Sequence, residues 1–413
     1  MTILVIQSNM RIHRHIHKYR DNVTLNFIER IAFFQLSINQ KDIGKARTSL
    51  LIECIKILEI TRLMDTLLTL LRPICQSGMN LSLKKCLISI LQAMIISWSV
   101  NILKLASEYA SRASVASVVR RIERFLLRGL IKQHEAARSM LAALPANGRF
   151  ILSMDGTSWQ LGKFKYYVLA VGICFNGVSL PICLAFLPGH DITGFVEEIG
   201  IMERVVSLIG RERIECLLAD REFGNSNFIK WLQINHIRHC LRLRENLYLR
   251  KEGQKKGRKL REVLSSLRVG ESVVLSDVWL MRKNTRVRIY ATRRTGRNGE
   301  ESLIILASPL ECDYTEALYR KRWTLETAFR AMKSAGFNME DTHLGERRFE
   351  NMLVLLMIAF AAVFIDGLLK IESLPIPMMK SRNVQRMNIF RYGYVSLLHD
   401  FWANVKNEAA KPT

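Results

Sequence analysis

The sequence predicts an α/β protein built around one oxygen-rich site, and three observations lead there. Short apolar strand-like runs fill the middle of the chain, and two of them end at an aspartate, Asp155 and Asp220. Helical periodicity occupies the stretches before and after. Between them the segment YRKRWTLETAFRAMK at 319–333 places Tyr319, Arg322, Glu326 and Lys333 at helical offsets of 0, 3, 7 and 14. At about 100° per residue those side chains fall within about 60° of one another. One helix face would then carry a phenol, a guanidinium, a carboxylate and an ammonium. Such a face sets a metal ligand among groups suited to phosphate.

Composition points to the partner. Lys and Arg total 61 against 37 Asp and Glu, a net charge of +24 over 413 residues. Charge of that size bears on partners and solubility rather than fold, and a polyanion is the natural partner. The chain is long enough for two or three domains. The eight cysteines form no CxxC pair and no His stands at zinc spacing, so they read as buried thiols of a reducing cytosol. The N-terminus has no signal-peptide pattern. Met352–Ile365 is apolar but, at about 14 residues, short of the ~20 that a membrane span needs. Leu87–Ala106 is long enough but carries Gln92, Ser97, Ser99, Asn101 and Lys104. Both read as buried helices, and no membrane partner is expected.

The elements follow in order. Residues 1–63 are rich in Arg, His and Ile, with RIHRHIHKYR at 11–20. The alternating His13, His15 and His17 read as an exposed basic segment rather than a metal site. Residues 64–147 are helical. Leu67, Leu68, Leu70 and Leu71 begin the first helix, and Ser82 precedes the second. The third, Ser114–Gly129, has an apolar face of Val115, Val118, Val119, Ile122, Phe125 and Leu126, and an opposite face of Arg120, Arg121, Arg124 and Arg128. That arginine face suits a DNA groove or backbone, and equally a solvated surface.

Strands are expected at Phe150–Met154, Tyr166–Phe175 and Ser179–Leu187, the last two joined by the turn Asn176-Gly177. Ile192–Ile209 is helical, Cys216–Ala219 a buried strand ending at Asp220, Phe228–Leu232 helical and His239–Leu243 a strand. Residues 245–301 are basic at first, then alternate like strands at Ser272–Leu280 and Val287–Thr292. They read as an insertion within one domain, a DNA clamp in preference to a scaffold. Leu303–Ala307 is a strand before the helix of Glu326. From Phe349 a long apolar helix leads through a Pro-containing linker to a short helical end, so that 346–413 forms a C-terminal helical region.

Two aspartates at the ends of neighbouring strands, with Glu326 from a packed helix, would make a site for hard divalent cations. Two such ions about 4 Å apart activate water or a 3′-hydroxyl and stabilise a leaving oxygen. No Gly-rich phosphate loop, HExxH motif or nucleophile elbow competes with it.

Tyr, two residues, Arg, three residues, Glu, six residues, Lys resembles the signature of the IS-four family of bacterial insertion-sequence transposases. MDGT around Asp155, and ADREFGN with Asp220 followed by Arg221 and Glu222, are similar to its first-acid and second-acid segments. RLRE, with Arg242 and Arg244, resembles a strand whose basic residues touch DNA, and Trp323 also matches. The resemblance covers about Met64–Phe364. It implies a ribonuclease-H-like core at 148–345 interrupted by the β-rich insertion at 245–301. It also implies Asp155, Asp220 and Glu326 as catalytic ligands of two Mg²⁺, with Mn²⁺ as a substitute. Tyr319, Arg322 and Lys333 would grip DNA phosphates, and the region 64–147 would recognise terminal inverted repeats. The C-terminal helices would support a homodimer that synapses the two ends for cut-and-paste transfer into target DNA in the bacterial cytoplasm.

The chain departs from the pattern in two places. Better-known members carry a Trp on the strand before the Glu helix, where this chain has ESLIILASPL, with Ser302 or Leu303 near the expected position; Trp279 lies farther back. Hairpin formation stays open, since base flipping can use another stacking residue. Residues 1–63 match nothing in the pattern, and a native start near Met64 is expected. Two other readings share these residues: a ribonuclease-H-like nuclease without strand transfer, and a non-catalytic DNA-binding derivative acting as an inhibitor. Three intact acids favour an enzyme.

Overall fold

The computed structural model describes residues 65–397, apart from 75–78, 110, 145–147, 162–163, 176, 189–193, 282–284, 297, 311, 334, 343 and 380–383. The expectations for the basic N-terminal stretch and the start near Met64 lie outside the described residues. Residues 63–396 group as one compact unit.

The chain enters through helices α1 (65–74), α2 (Leu81–Ser97), α3 (Ile102–Glu108), α4 (Val115–Arg128) and α5 (Gln133–Ala142). Asn80, rather than Ser82, caps α2 by accepting the Leu83 N–H at 2.9 Å. The apolar run 87–106 is not one helix. It bends by 103° between α2 and α3. Trp98 takes a left-handed conformation there, and Asn101 starts α3 by accepting the N–H groups of Leu103 and Lys104. Of the polar residues in that run, Ser99 and Asn101 stand at the corner. Helix α4 has the expected limits: Ser114 caps its start, and Gly129 ends it at φ 56°.

Strands β1 (Phe150–Leu161), β2 (Phe164–Cys174) and β3 (Ser179–Pro188) form an antiparallel meander. The β2–β3 turn uses Gly177 at φ 78°, and Phe175 N–H donates to the Val178 carbonyl at 3.0 Å. Helix α6 (Phe195–Ile209) leads to β4 (Ile214–Ala219), which pairs parallel with β1; α7 (Ser226–Ile234) leads to β5 (His239–Arg242), parallel to β4. The basic segment then adds β6 (Tyr248–Lys251), β7 (Arg258–Lys259), the short α8 (Leu260–Val263), β8 (Ser272–Leu280) and β9 (Thr285–Thr295). Strand β10 (Glu301–Ala307) returns antiparallel to both β9 and β5. These ten strands form one sheet in the order β3-β2-β1-β4-β5-β10-β9-β8-β6-β7, and Met378–Met379 and Val384–Gln385 make a separate two-stranded sheet. The segment 245–301 thus extends the central sheet from its β5 side.

Helices α9 (Cys312–Arg320), α10 (Trp323–Met332) and α11 (Glu346–Ser373) follow the sheet. Helix α11 is long and apolar enough to cross a membrane, but 89 % of its apolar window is buried within the protein. It is the core helix that packs on α2, α4, α5 and β3. Its Asn351 donates from Nδ2 to the Leu126 carbonyl at 2.6 Å, closing the end of α4.

A last helix, α12 (389–397), crosses α11 at two glycines. A methyl group on Gly367 would stand 2.4 Å from the Ile389 carbonyl, and one on Gly393 2.2 Å from the Val363 carbonyl. Backbone lies on both sides, so neither contact can yield. Gly367→Ala or Gly393→Ala should therefore lower stability by about 1–3 kcal/mol, as overpacking does. Urea unfolding of each variant measures this; unchanged midpoints would contradict the close crossing.

Candidate active site

Strand pairing brings the two aspartates together. Met154 and Ala219 are partners in the parallel β1–β4 register, so Asp155 and Asp220 follow them side by side. One expectation needs correction. Asp155 does not end its strand, because β1 continues to Leu161 in its hairpin with β2, where Asp155 pairs with Ala170. What ends at Asp155 is the pairing with β4. Asp220 does follow the last residue of its strand.

The segment 319–333 is also not one helix. Helix α9 stops at Arg320 and α10 starts at Trp323. Across the junction the N–H groups of Lys321, Arg322, Thr324 and Leu325 bond three residues back, in the tighter 3₁₀ manner. Side chains secure this turn. Ser153 Oγ donates to the Arg322 carbonyl at 3.0 Å, and Thr324 Oγ1 donates to the Lys321 carbonyl at 2.7 Å. Both carbonyls are thus engaged from outside the helix ladder.

The broken helix still delivers three of its four marked residues to the aspartates. Arg322 Nη1 donates to Asp155 Oδ2 at 3.1 Å, and Nη2 lies 4.0 Å from Asp220 Oδ2. Tyr319 Oη donates to Asp220 Oδ1 at 3.2 Å. Glu326 lies in the first turn of α10, close enough for its charge to act on Asp155 and Arg322. Lys333 goes elsewhere: its Nζ donates to the Ser158 carbonyl of β1 at 2.8 Å, and burial lowers its pKa. The expected four-residue face is therefore a three-residue cluster plus a lysine at the end of α10 that bonds β1.

Backbone amides complete the carboxylate contacts, Gly156 N–H to Asp155 Oδ1 at 2.9 Å and Arg221 N–H to Asp220 Oδ1 at 2.7 Å. Burial pushes the Asp155 carboxyl up to about 6. The Arg322 guanidinium and the Gly156 N–H oppose that rise, while the charges of Asp220 and Glu326 add to it. Burial and the Asp220 charge raise the Tyr319 phenol. Arg322 keeps its charge, because nearby acids outweigh the burial that disfavours it.

The remaining candidates divide. Arg242, at the end of β5, is half-buried, and its charge reaches Tyr319. Arg244 is exposed and donates from Nε to the Arg221 carbonyl at 3.3 Å. Trp323 is exposed, with the Arg322 guanidinium 5.6 Å from its ring centre. Arg120, Arg121 and Arg124 form an exposed face of α4, where Arg124 Nε donates to the Arg120 carbonyl.

Four residues around the aspartates escaped sequence reasoning. Tyr167 Oη donates to Glu222 Oε1 at 2.8 Å. Asn225 Nδ2 donates to Glu198 Oε2 at 2.7 Å, while its Oδ1 accepts the Phe228 N–H that begins α7. Gly156 leaves room for Tyr167, whose Oη would lie 1.7 Å from a methyl group there. An Asn ahead of an apolar helix is a capping signal that would have singled out Asn225; nothing local marks Tyr167, Gly156 or Glu198.

The donor chemistry at the strand ends suits a hard divalent cation, since Asp155, Asp220 and Glu326 offer only oxygen. Among the described residues no three His, Cys, Asp or Glu side chains stand in metal-holding geometry. The cationic partner of the two aspartates here is the Arg322 guanidinium.

Glu198 supplies a pH test away from the aspartates. It is 1 % exposed, and burial pushes its carboxyl up to about 8 from 4.5. Its folded pKa lies above its unfolded one, so folding takes up a proton between those values and stability falls as pH rises through that window. Glu198→Gln should remove this part of the decline. Melting temperatures at pH 5 and pH 8 would show the variant losing less than the wild type; equal losses would contradict the buried neutral carboxyl.

Residues 147–362 match the family described as Transposase DDE domain, a span that contains Asp155, Asp220 and Glu326 and exceeds half of the chain. No curated protein matches. The mixed sheet with its flanking helices is ribonuclease-H-like, as expected for that domain. By this match over more than half of its length, the chain belongs to the DDE transposase family.

Proposed function

We propose that the protein is a DNA transposase of the IS-four type that binds terminal inverted repeats and carries out metal-dependent strand cleavage and strand transfer. One observation carries the reading: strand register sets Asp155 beside Asp220, and α10 brings Glu326 within electrostatic range of Asp155. Asp155, Asp220 and Glu326 would hold two Mg²⁺, or Mn²⁺ in their place, which when bound activate water or a 3′-hydroxyl and stabilise the leaving oxygen.

The other residues bind and orient DNA. Arg322, which contacts both aspartates, would exchange a carboxylate for a phosphate of the cleaved end. Tyr319 and Arg242 border the same site, and Arg244 and Lys333 would add further phosphate contacts. Arg120, Arg121 and Arg124 offer charge to the duplex backbone, and Trp323 offers an exposed ring beside Arg322. The net charge of +24 supports a polyanionic partner. A homodimer that synapses two ends, acting in the cytoplasm, completes the reading.

Glu326→Gln tests it. The substitution removes a ligand charge and leaves the phosphate-binding cations. Incubated with Mg²⁺ and DNA carrying the element's own ends, the wild type should release 3′-hydroxyl ends and join them to a plasmid. The variant should bind the ends at least as tightly and cut none. Binding by both proteins with cleavage by neither would instead favour the inhibitor reading. Loss of DNA binding in the variant would mean that this helix was assigned the wrong role.

A further inference from the structure

The ADREFGN segment does more than supply Asp220. It folds as a tight turn, with Phe223 N–H donating to the Asp220 carbonyl at 3.0 Å and Asn225 N–H to the Phe223 carbonyl at 2.8 Å. Phe223 is fully buried. Gly224 passes so close to β5 that a methyl group would lie 2.2 Å from the Arg242 carbonyl. Two side-chain contacts then tie the turn down. Glu222 accepts from Tyr167 on β2, and Asn225 donates to Glu198 on α6. Tyr167 reaches Glu222 by lying across Gly156, the residue after Asp155. One phenol thus touches both acid-bearing segments.

We infer that Tyr167, Glu222, Asn225 and Glu198 form a partly buried brace that holds Asp220 in position beside Asp155. Tyr167 and Glu198 are then positioning residues of the site. The inference rests on the proposed reading of the two aspartates as cation ligands. The geometry is economical. The two contacts anchor the turn to a strand on one side and a helix on the other, so Asp220 cannot swing from β1 without breaking a bond to one of them. The high pKa of Glu198 fits a carboxyl that stays neutral beside Glu222. Without the Tyr167 hydroxyl, the Glu222 charge would face a partly buried site with one partner fewer.

The test is Mn²⁺ affinity of the DNA-free full-length protein, read by paramagnetic resonance of unbound Mn²⁺, independently of catalysis. Tyr167→Phe removes only a hydroxyl. Glu198→Leu keeps the volume and removes the partner of Asn225. Each should weaken Mn²⁺ binding by roughly 10- to 100-fold, the usual cost of losing a group that orients a metal ligand. Glu198→Gln, which preserves a neutral side-chain carbonyl at that place, should restore affinity to near wild type, which a merely space-filling role would not require. DNA binding should stay unchanged throughout. Wild-type Mn²⁺ affinity in both Tyr167→Phe and Glu198→Leu overturns the brace and leaves the functional reading intact. A wild-type protein that binds no Mn²⁺ overturns both.

Discussion

Two carboxylates forced side by side are the constraint on which this structure turns. The β1–β4 register leaves Asp155 and Asp220 adjacent at the point where their pairing ends. Burial, with the nearby charges of Asp220 and Glu326, opposes the ionisation of Asp155. The Arg322 guanidinium answers that cost by contacting both aspartates, and the turn between α9 and α10 places it there. At this turn Ser153 Oγ donates to the Arg322 carbonyl and the Thr324 hydroxyl to the Lys321 carbonyl. The break in the helix is therefore part of the site.

This arrangement also explains the surrounding glycines and polar residues. Gly156 admits the Tyr167 ring, Gly224 admits the Arg242 carbonyl, and Asn225 both starts α7 and binds Glu198. Helix α11 runs through the core and joins the helical region to the sheet. The basic segment 245–301 lengthens the sheet beyond β10, so its cations are carried on strands continuous with those that carry the aspartates.

Much of the fold and site was legible in the sequence because it rests on local rules. Ser114 and Gly129 bounded α4 through capping, and Asn176-Gly177 marked a hairpin. Apolar runs located β4 and β5, and the acids Asp155 and Asp220 stood out at the edges of such runs. Long-range contacts were not legible. The extension of β1 past Asp155 comes from its hairpin with β2, and at the interruption near Arg322 a β1 hydroxyl, that of Ser153, bonds the Arg322 carbonyl. Lys333 left the expected face for the same reason, because its partner is a β1 carbonyl 175 residues away in sequence. Glu198 lay in an ordinary amphipathic helix, and only the packing of α6 against the ADREFGN turn gives it a role.

The central claim is that Asp155, Asp220 and Glu326 act as one oxygen cage for divalent cations during DNA strand cleavage. The most direct measurement is the metal preference of cleavage by Asp220→Cys. A thiolate is a poor ligand for Mg²⁺ and a better one for softer ions. The account predicts a variant that is inactive with Mg²⁺ and regains cleavage with Mn²⁺, while the wild type works with both. A variant that cleaves equally well with either ion, or a wild type that cleaves without any, would contradict it.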